Sequence, residues 1–272
     1  MFQKFKPDKI KAAAVAEAAG KGKTARMVLV AASAIMLLLT PRSAWAMHIM
    51  EGFLPLGWAL FWAGASLPFL LGGFKAVSRF FAQKPQYKMF FALAGAFVFV
   101  LSALKMPSVT GSCSHPTGVG LGAILFGPLP MTVISLIVLF FQAILLAHGG
   151  LTTLGANIFS MGVAGPLVAF ALYKLGEKLA LPRGASVFLA ATLGNLSTYL
   201  VTSIQLALAF PMETGGVAAS FLKFSGIFAL TQIPLAISEG ILTIIIFNFL
   251  LNYNSRELTE LLRPQQKEVH SG

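Results

Sequence analysis

Gly118-Val-Gly-Leu-Gly-Ala-Ile-Leu-Phe126 is the stretch on which the fold turns. It is apolar throughout, yet a helix of this length rises only about 14 Å, less than half of the roughly 30 Å of a bilayer core. The segments around it are long enough to cross: Phe53–Phe74, Met89–Leu104, Met131–Ala147, Thr152–Tyr173, Ala185–Phe210 and Phe224–Leu251. If Gly118–Phe126 dips in and out on one side the chain crosses six times; if it passes through, seven. Charge decides between them. Seven crossings from an outer start gather Lys75, Arg79, Lys84 and Lys88, then Lys174, Lys178 and Arg183, then Arg256, Arg263 and Lys267 on one side, leaving Lys105 and Lys223 near the other. That is the asymmetry the positive-inside rule expects of cytoplasmic loops. The expected fold is therefore all-α and membrane-integral, a bundle of seven transmembrane helices with one short and glycine-rich. Such a short helix is tolerated at membrane depth only where protein or a polar cavity shields its backbone, and broken elements of this kind line binding sites.

Composition agrees. Of 272 residues, 57% are hydrophobic and 11% charged, outside the usual range of soluble domains. The net charge of +11 does not point to nucleic acid, because eight of the 20 Lys and Arg residues lie in residues 1–46 and the other twelve are scattered over loops against seven acids. Cys113 is the single cysteine, so no intramolecular disulfide forms and the redox compartment is not indicated. There is no internal repeat and no G-x-x-x-x-G-K-[S/T] phosphate loop, so energy from ATP would have to come from partner proteins.

Residues 1–46 have a Lys-rich head, an apolar core Met27–Leu39 and the small-residue end Ala44-Trp-Ala46, the three parts of a secretory signal peptide. Cleavage after Ala46 gives a membrane domain over 47–253, starting outside, and a polar cytoplasmic tail over 254–272. It also gives a mature chain that begins Met47-His48. The Met47 amine, the deprotonated His48 amide and the His48 imidazole can occupy three adjacent corners around one ion. An all-nitrogen, tetragonal set suits Ni(II), Cu(II) and low-spin Co(II) rather than Mg or Ca. His115, in a loop on the same side of the membrane, offers a fourth nitrogen. The residues alone leave open whether the two histidines share an ion.

Met47-His-Ile-Met-Glu-Gly-Phe-Leu-Pro55 and Lys105-Met-Pro-Ser-Val-Thr-Gly-Ser-Cys-Ser-His-Pro-Thr-Gly-Val-Gly-Leu-Gly-Ala-Ile-Leu-Phe-Gly-Pro128 closely resemble the CbiM/NikM family, the substrate-capture components of energy-coupling-factor transporters for cobalt and nickel. The resemblance runs from Met47 to about Phe210. It implies a non-catalytic subunit that captures Co(2+) or Ni(2+), cobalt for cobalamin synthesis being favoured, through Met47, His48 and His115. It also implies a transmembrane coupling subunit, cytoplasmic ATPases and a small two-span accessory subunit as partners. The 46 residues ahead of Met47 depart from members that start at this Met, and make processing a condition of the site.

Further residues have candidate roles. Ser114 and Thr117 flank His115 and are placed to support it. Glu51 can orient His48, bond a nearby turn or cap the first span. Cys113 is a soft metal ligand of low expectation, and His148 either meets an incoming ion or is an interfacial histidine. His270 lies in the polar tail. Gln142, Asn157, Asn195, Gln205 and Glu239 are costly in lipid and are expected to face the bundle interior. Two rival classes remain on the sequence: an intramembrane metalloenzyme, for which only Glu51 offers a general base, and a metal-independent channel or scaffold.

Overall fold

The computed structural model describes residues 48–107 and 113–262. Its helices are α1 (Leu56–Gln83), α2 (Lys88–Ala103), α3 (Val119–Phe126), α4 (Pro128–Leu146), α5 (Leu154–Lys178), α6 (Arg183–Ala209), α7 (Gly216–Tyr253) and α8 (Ser255–Leu262). A 3-10 turn, Pro85–Tyr87, joins α1 to α2. Two short strands, β1 (Met106–Pro107) and β2 (Cys113–Ser114), pair antiparallel beyond α2. Helix α5 is composite: one α turn at Leu154–Asn157, a π segment at Ile158–Ala164, then α-helix over Gly165–Lys178.

Among the described residues six helices are long and apolar enough to cross a membrane, and α3 is not one of them. The described residues nevertheless run the length of the bundle seven times. Gly118, before α3, has a left-handed φ of +71°, and a Cβ there would meet the backbone of Val98 near the end of α2. At its other end Phe126 packs on Phe80, late in α1, and on Phe91, early in α2, with ring centroids 5.8 and 5.2 Å apart. The extended residues 113–118 and the eight-residue helix thus carry the chain together from one end of the bundle to the other. Val119 to Leu125 are all buried, so the short helix is sheathed in protein, as its backbone requires.

Several helices run longer than their hydropathy suggested. α1 continues through Lys75 and Arg79 to Gln83, where Pro85 removes an N–H and ends it. α7 begins at Gly216 rather than near Phe224, and its 38 residues contain Pro234. Residue 254 opens a tail that starts with α8, which is docked on the bundle: Leu258 is buried, Tyr87 Oη donates to the Glu257 carbonyl at 3.3 Å, and Lys84 lies 3.9 Å from Glu260. The alternation of passes puts Lys84, Lys88, Lys178, Arg183 and Arg256 at one end and residues 48–55, 105, 115, 148 and 213 at the other.

The core divides along this axis. Val98, Val119, Met131, Ile134 and Phe247 belong to one apolar cluster, and Ile49, Trp62, Tyr199, Leu206 and Phe228 to a second, nearer the histidines.

Candidate metal centre

Three segments converge at that second end. Residues 48–55 lie across the start of α5 because the Ile49 peptide is bonded on both edges: its N–H donates to Asn157 Oδ1 at 2.8 Å, and its carbonyl accepts from Asn157 Nδ2 at 3.0 Å and Thr153 Oγ1 at 2.6 Å. The Gly52 N–H donates to Thr152 Oγ1 at 2.9 Å. Glu51 neither caps α1 nor bonds His48 among the described residues. Its carboxylate accepts from the N–H groups of Leu151 and Thr152, and the bonds from Thr152 first hold it below the usual carboxylate range.

The second segment leaves α4 through Ala147 in the left-handed region, φ +47°, with the His148 N–H donating to the Gln142 carbonyl at 3.1 Å. Gly149 and Gly150 follow, where a Cβ would crowd Asn157 and Glu51 respectively. The third is the His115 loop, fastened to α6 and α7. Ser114 Oγ lies 2.7 Å from Thr231 Oγ1, and Gln232 Nε2 donates to the His115 carbonyl at 3.1 Å. The buried Glu239 carboxylate accepts from Thr117 N (2.6 Å), Thr117 Oγ1 (3.0 Å), Gly118 N (2.9 Å) and Asn195 Nδ2 (2.5 Å). It binds the two residues that lead into α3 and fixes the loop that carries His115.

The result is a buried cluster of His48, His115 and His148, each at most 3% exposed, with one ligand-capable nitrogen per ring all within 4.8 Å of one another. Among the described residues, the ring nitrogens left without a partner are His48 Nδ1, His115 Nε2 and His148 Nε2. The opposite nitrogens of two rings are occupied: His48 Nε2 lies 3.1 Å from Met161 Sδ, and His115 Nδ1 lies 2.9 Å from the Pro116 carbonyl. Burial, the other two imidazoles and Lys105 push His48 well below its usual range; burial lowers His115 to about 4, and burial with His115 and Lys105 lowers His148 to about 2. All three are neutral near pH 7 and present lone pairs rather than protons. Buried neutral imidazoles converging on one point suit a borderline transition metal.

The family described as "Cobalt uptake substrate-specific transmembrane region" matches residues 48–257. The chain belongs to that family, CbiM. Curated CbiM relatives named cobalt transport proteins include those of Desulforamulus reducens, 60% identical over 87% of this chain and 92% of that protein, and of Anoxybacillus flavithermus, 62% identical over 86% and 92%. The CbiM protein of Nostoc sp. is 56% identical over 92% of this chain and 95% of its own. Crystal structures of a truncated transition metal transporter and of a transition metal transporter superpose with TM-scores of 0.67 each. They have 26% and 25% identity, and cover 76% and 80% of this chain and 99% and 100% of theirs. CbiM is a family of multi-pass transport proteins, not of enzymes.

Of the residues singled out in the sequence, His48, His115 and His148 come together, with Ser114, Thr117 and Glu51 holding the segments that carry them. Met47 lies outside the described residues, as do the leader 1–46, the Cys113 side chain and His270. Asn157 and Glu239 stood out as polar groups in apolar spans, though not with these roles. Met161 gave no signal, since a methionine in a hydrophobic span reads as core.

Proposed function

We propose that this chain is the substrate-capture subunit of a divalent transition-metal importer, with cobalt as cargo, and that the ion is held by Met47, His48 and His115. The observation that carries this reading is which nitrogen of His48 is free. Only Nδ1 can close a six-membered ring with the amide nitrogen of the same residue, and Nδ1 is the buried atom without a partner. His115 Nε2, also unpartnered, supplies the fourth corner. Three nitrogens from a processed chain end and one from a clamped loop make a tetragonal set without any carboxylate.

The reading requires cleavage after Ala46, because an uncleaved Met47 nitrogen is an amide whose lone pair is delocalised. In favour of a leader common to relatives, the match to the Nostoc protein covers 250 residues, longer than everything that follows Ala46. Cobalt is preferred over nickel on the names of the relatives. The concentration of Lys and Arg at the end opposite the histidines favours a cytoplasmic location for that end, with the ion captured outside. Transport then depends on a transmembrane coupling subunit and cytoplasmic ATPases, with a small two-span accessory subunit alongside.

Two measurements on detergent-purified protein test this. N-terminal sequencing should read Met-His-Ile, and His115→Phe should abolish tight Co(2+) binding while the thermal unfolding curve stays intact. A chain beginning at Met1, or unchanged affinity in His115→Phe, would remove the proposed site.

A further inference from the structure

Helix α7 holds the His115 loop at two places, and Pro234 stands between them. Ahead of the proline, Thr231 Oγ1 lies 2.7 Å from Ser114 Oγ, and Gln232 Nε2 donates to the His115 carbonyl at 3.1 Å. Beyond it, the Glu239 carboxylate accepts from the N–H groups of Thr117 and Gly118. Loop and helix run in the same direction, so residues 114 to 118 lie along α7 with one end fastened on each side of the proline. From Thr231 to Glu239 the helix rises about 12 Å, close to the roughly 13 Å that the four steps from Ser114 to Gly118 can reach.

The helix is weak at that point. Pro234 has no N–H for the Leu230 carbonyl, and its ring crowds the same carbonyl; sharp helix kinks occur at such positions. Ser238 Oγ donates to the Pro234 carbonyl at 2.9 Å, a bond of the kind that bends helices. Leu230, Ile233 and Ile237 are exposed, so no packed neighbour stiffens that face. On the opposite face one residue ties the two halves together. The buried Asn195 of α6 accepts from Gln232 Nε2 at 2.5 Å and donates through its own Nδ2 to Glu239 at 2.5 Å. It makes no hydrogen bond to the loop among the described residues, and it spans the proline as a splint. The second half of α7 leads into α8, which is fastened to the far end of the bundle through Leu258 and Tyr87.

We propose that α7 is a lever hinged at Pro234, that Asn195 is the latch holding it in the metal-retaining shape, and that bending it displaces His115 and releases the ion. The proposal rests on the reading above in which His115 is a ligand. With both Asn195 bonds made, the two anchors keep their spacing and the ring keeps its place. With the bond to Glu239 broken, the second half of α7 carries Thr117 and Gly118 away while Gln232 retains the His115 carbonyl, and the ring between them must turn. Asn195 and Pro234 are thus positioning residues, since neither hydrogen-bonds a histidine of the cluster. Coupling over such a distance needs an element with two arrangements that both ends can bias. A latched, proline-hinged helix is one, and it gives the end of the bundle that carries α8 a mechanical hold on the ion.

The test combines distances with affinity on the full processed chain in detergent, in a Cys113→Ser background. Nitroxides at the exposed positions Leu71→Cys of α1 and either Leu222→Cys or Phe249→Cys of α7 report the two arms by pulsed dipolar EPR. A kink of about 20° swings an arm of about 20 Å by roughly 7 Å. Asn195→Ala should shift or broaden one of the two distance distributions on that scale and weaken Co(2+) binding about tenfold in competition with a chelator. Adding Pro234→Ala should restore both. Two unchanged distributions, or a double variant as impaired as Asn195→Ala, would overturn the hinge; moved distributions with wild-type affinity would overturn its link to the ion. If Asn195→Ala does not fold, Pro234→Ala alone decides. It should keep the Co(2+) affinity and lose most uptake in cells carrying the whole transporter, and wild-type uptake would overturn the proposal. His115→Phe is a separate check: wild-type binding there would sink the metal-site reading, while the label distances judge the hinge by themselves.

Discussion

The thioether of Met161 lies 3.1 Å from His48 Nε2, a contact in which sulfur accepts a hydrogen bond from the Nε2–H and Nδ1 is left as the bare nitrogen. A ligating histidine normally has its second nitrogen tied in this way, and loss of the tie costs about 10–100-fold in metal affinity. Met161→Leu keeps the volume, at a cost usually below about 1.5 kcal/mol of stability, and removes the acceptor. It should weaken Co(2+) binding by that factor in a calorimetric titration with little change in unfolding; unchanged affinity would mean that the sulfur does not set the tautomer. The same rings make the metal-free protein sensitive to acid. His115 is neutral when folded down to about 4, but takes up a proton near pH 6.5 when unfolded. The unfolded chain therefore binds more protons than the folded one between these limits, and stability falls as pH drops through that window. Thermal melts of the apo protein should decline from about pH 7 to about pH 5, a loss that saturating metal suppresses. A level profile would place the histidines in water.

At the scale of elements, Asn157 and Met161, four residues apart where the first turn of α5 passes into the π segment Ile158–Ala164, both bear on residues 48 and 49. The segment's neighbour Pro166 has no N–H, which deprives the Gly162 carbonyl of its ordinary helical donor. Thr132 Oγ1 of α4 fills that vacancy at 3.1 Å. Thr132→Val should leave a buried acceptor unsatisfied and cost about 1–3 kcal/mol, read as a lower melting temperature. A melting curve like wild type would show that the carbonyl finds another donor. Hydropathy made the existence of each span legible and even exposed α3, but it records side chains and not the hydrogen-bond register, so the π segment was invisible. The ends of α1 and α7 escaped for a related reason. Helix continues past the apolar window wherever the backbone bonds persist, through Lys75 and Arg79 in one and Lys223 in the other. In the centre itself, His48 and His115 were expected on the same side from a chain end and a loop, and the structure brings them together. The Glu239 clamp did not, because its partners Thr117, Gly118 and Asn195 are 44 to 122 residues away in sequence.

For the whole molecule, sidedness is the open consequence of seven passes. With Cys113→Ser as background, Glu213→Cys should react with a membrane-impermeant thiol reagent on intact cells, and Lys178→Cys only after the membrane is opened. Labelling of position 178 from outside would invert the orientation proposed from the basic residues.

The two-edged bonding of Ile49 by Asn157 and Thr153 makes residues 48–52 resemble a peptide seated in a receptor, except that receptor and peptide are one molecule. On the proposed chemistry, both nitrogens of His48 that meet the ion are carried by the residue adjoining that seated peptide bond. Withdrawal of the segment by a single residue would then carry the His48 nitrogens away from His115. On that reading the hold on the ion depends on one docked strip of backbone, which lies so close to Gly149 and Gly150 that a Cβ at either would meet His48 or Glu51.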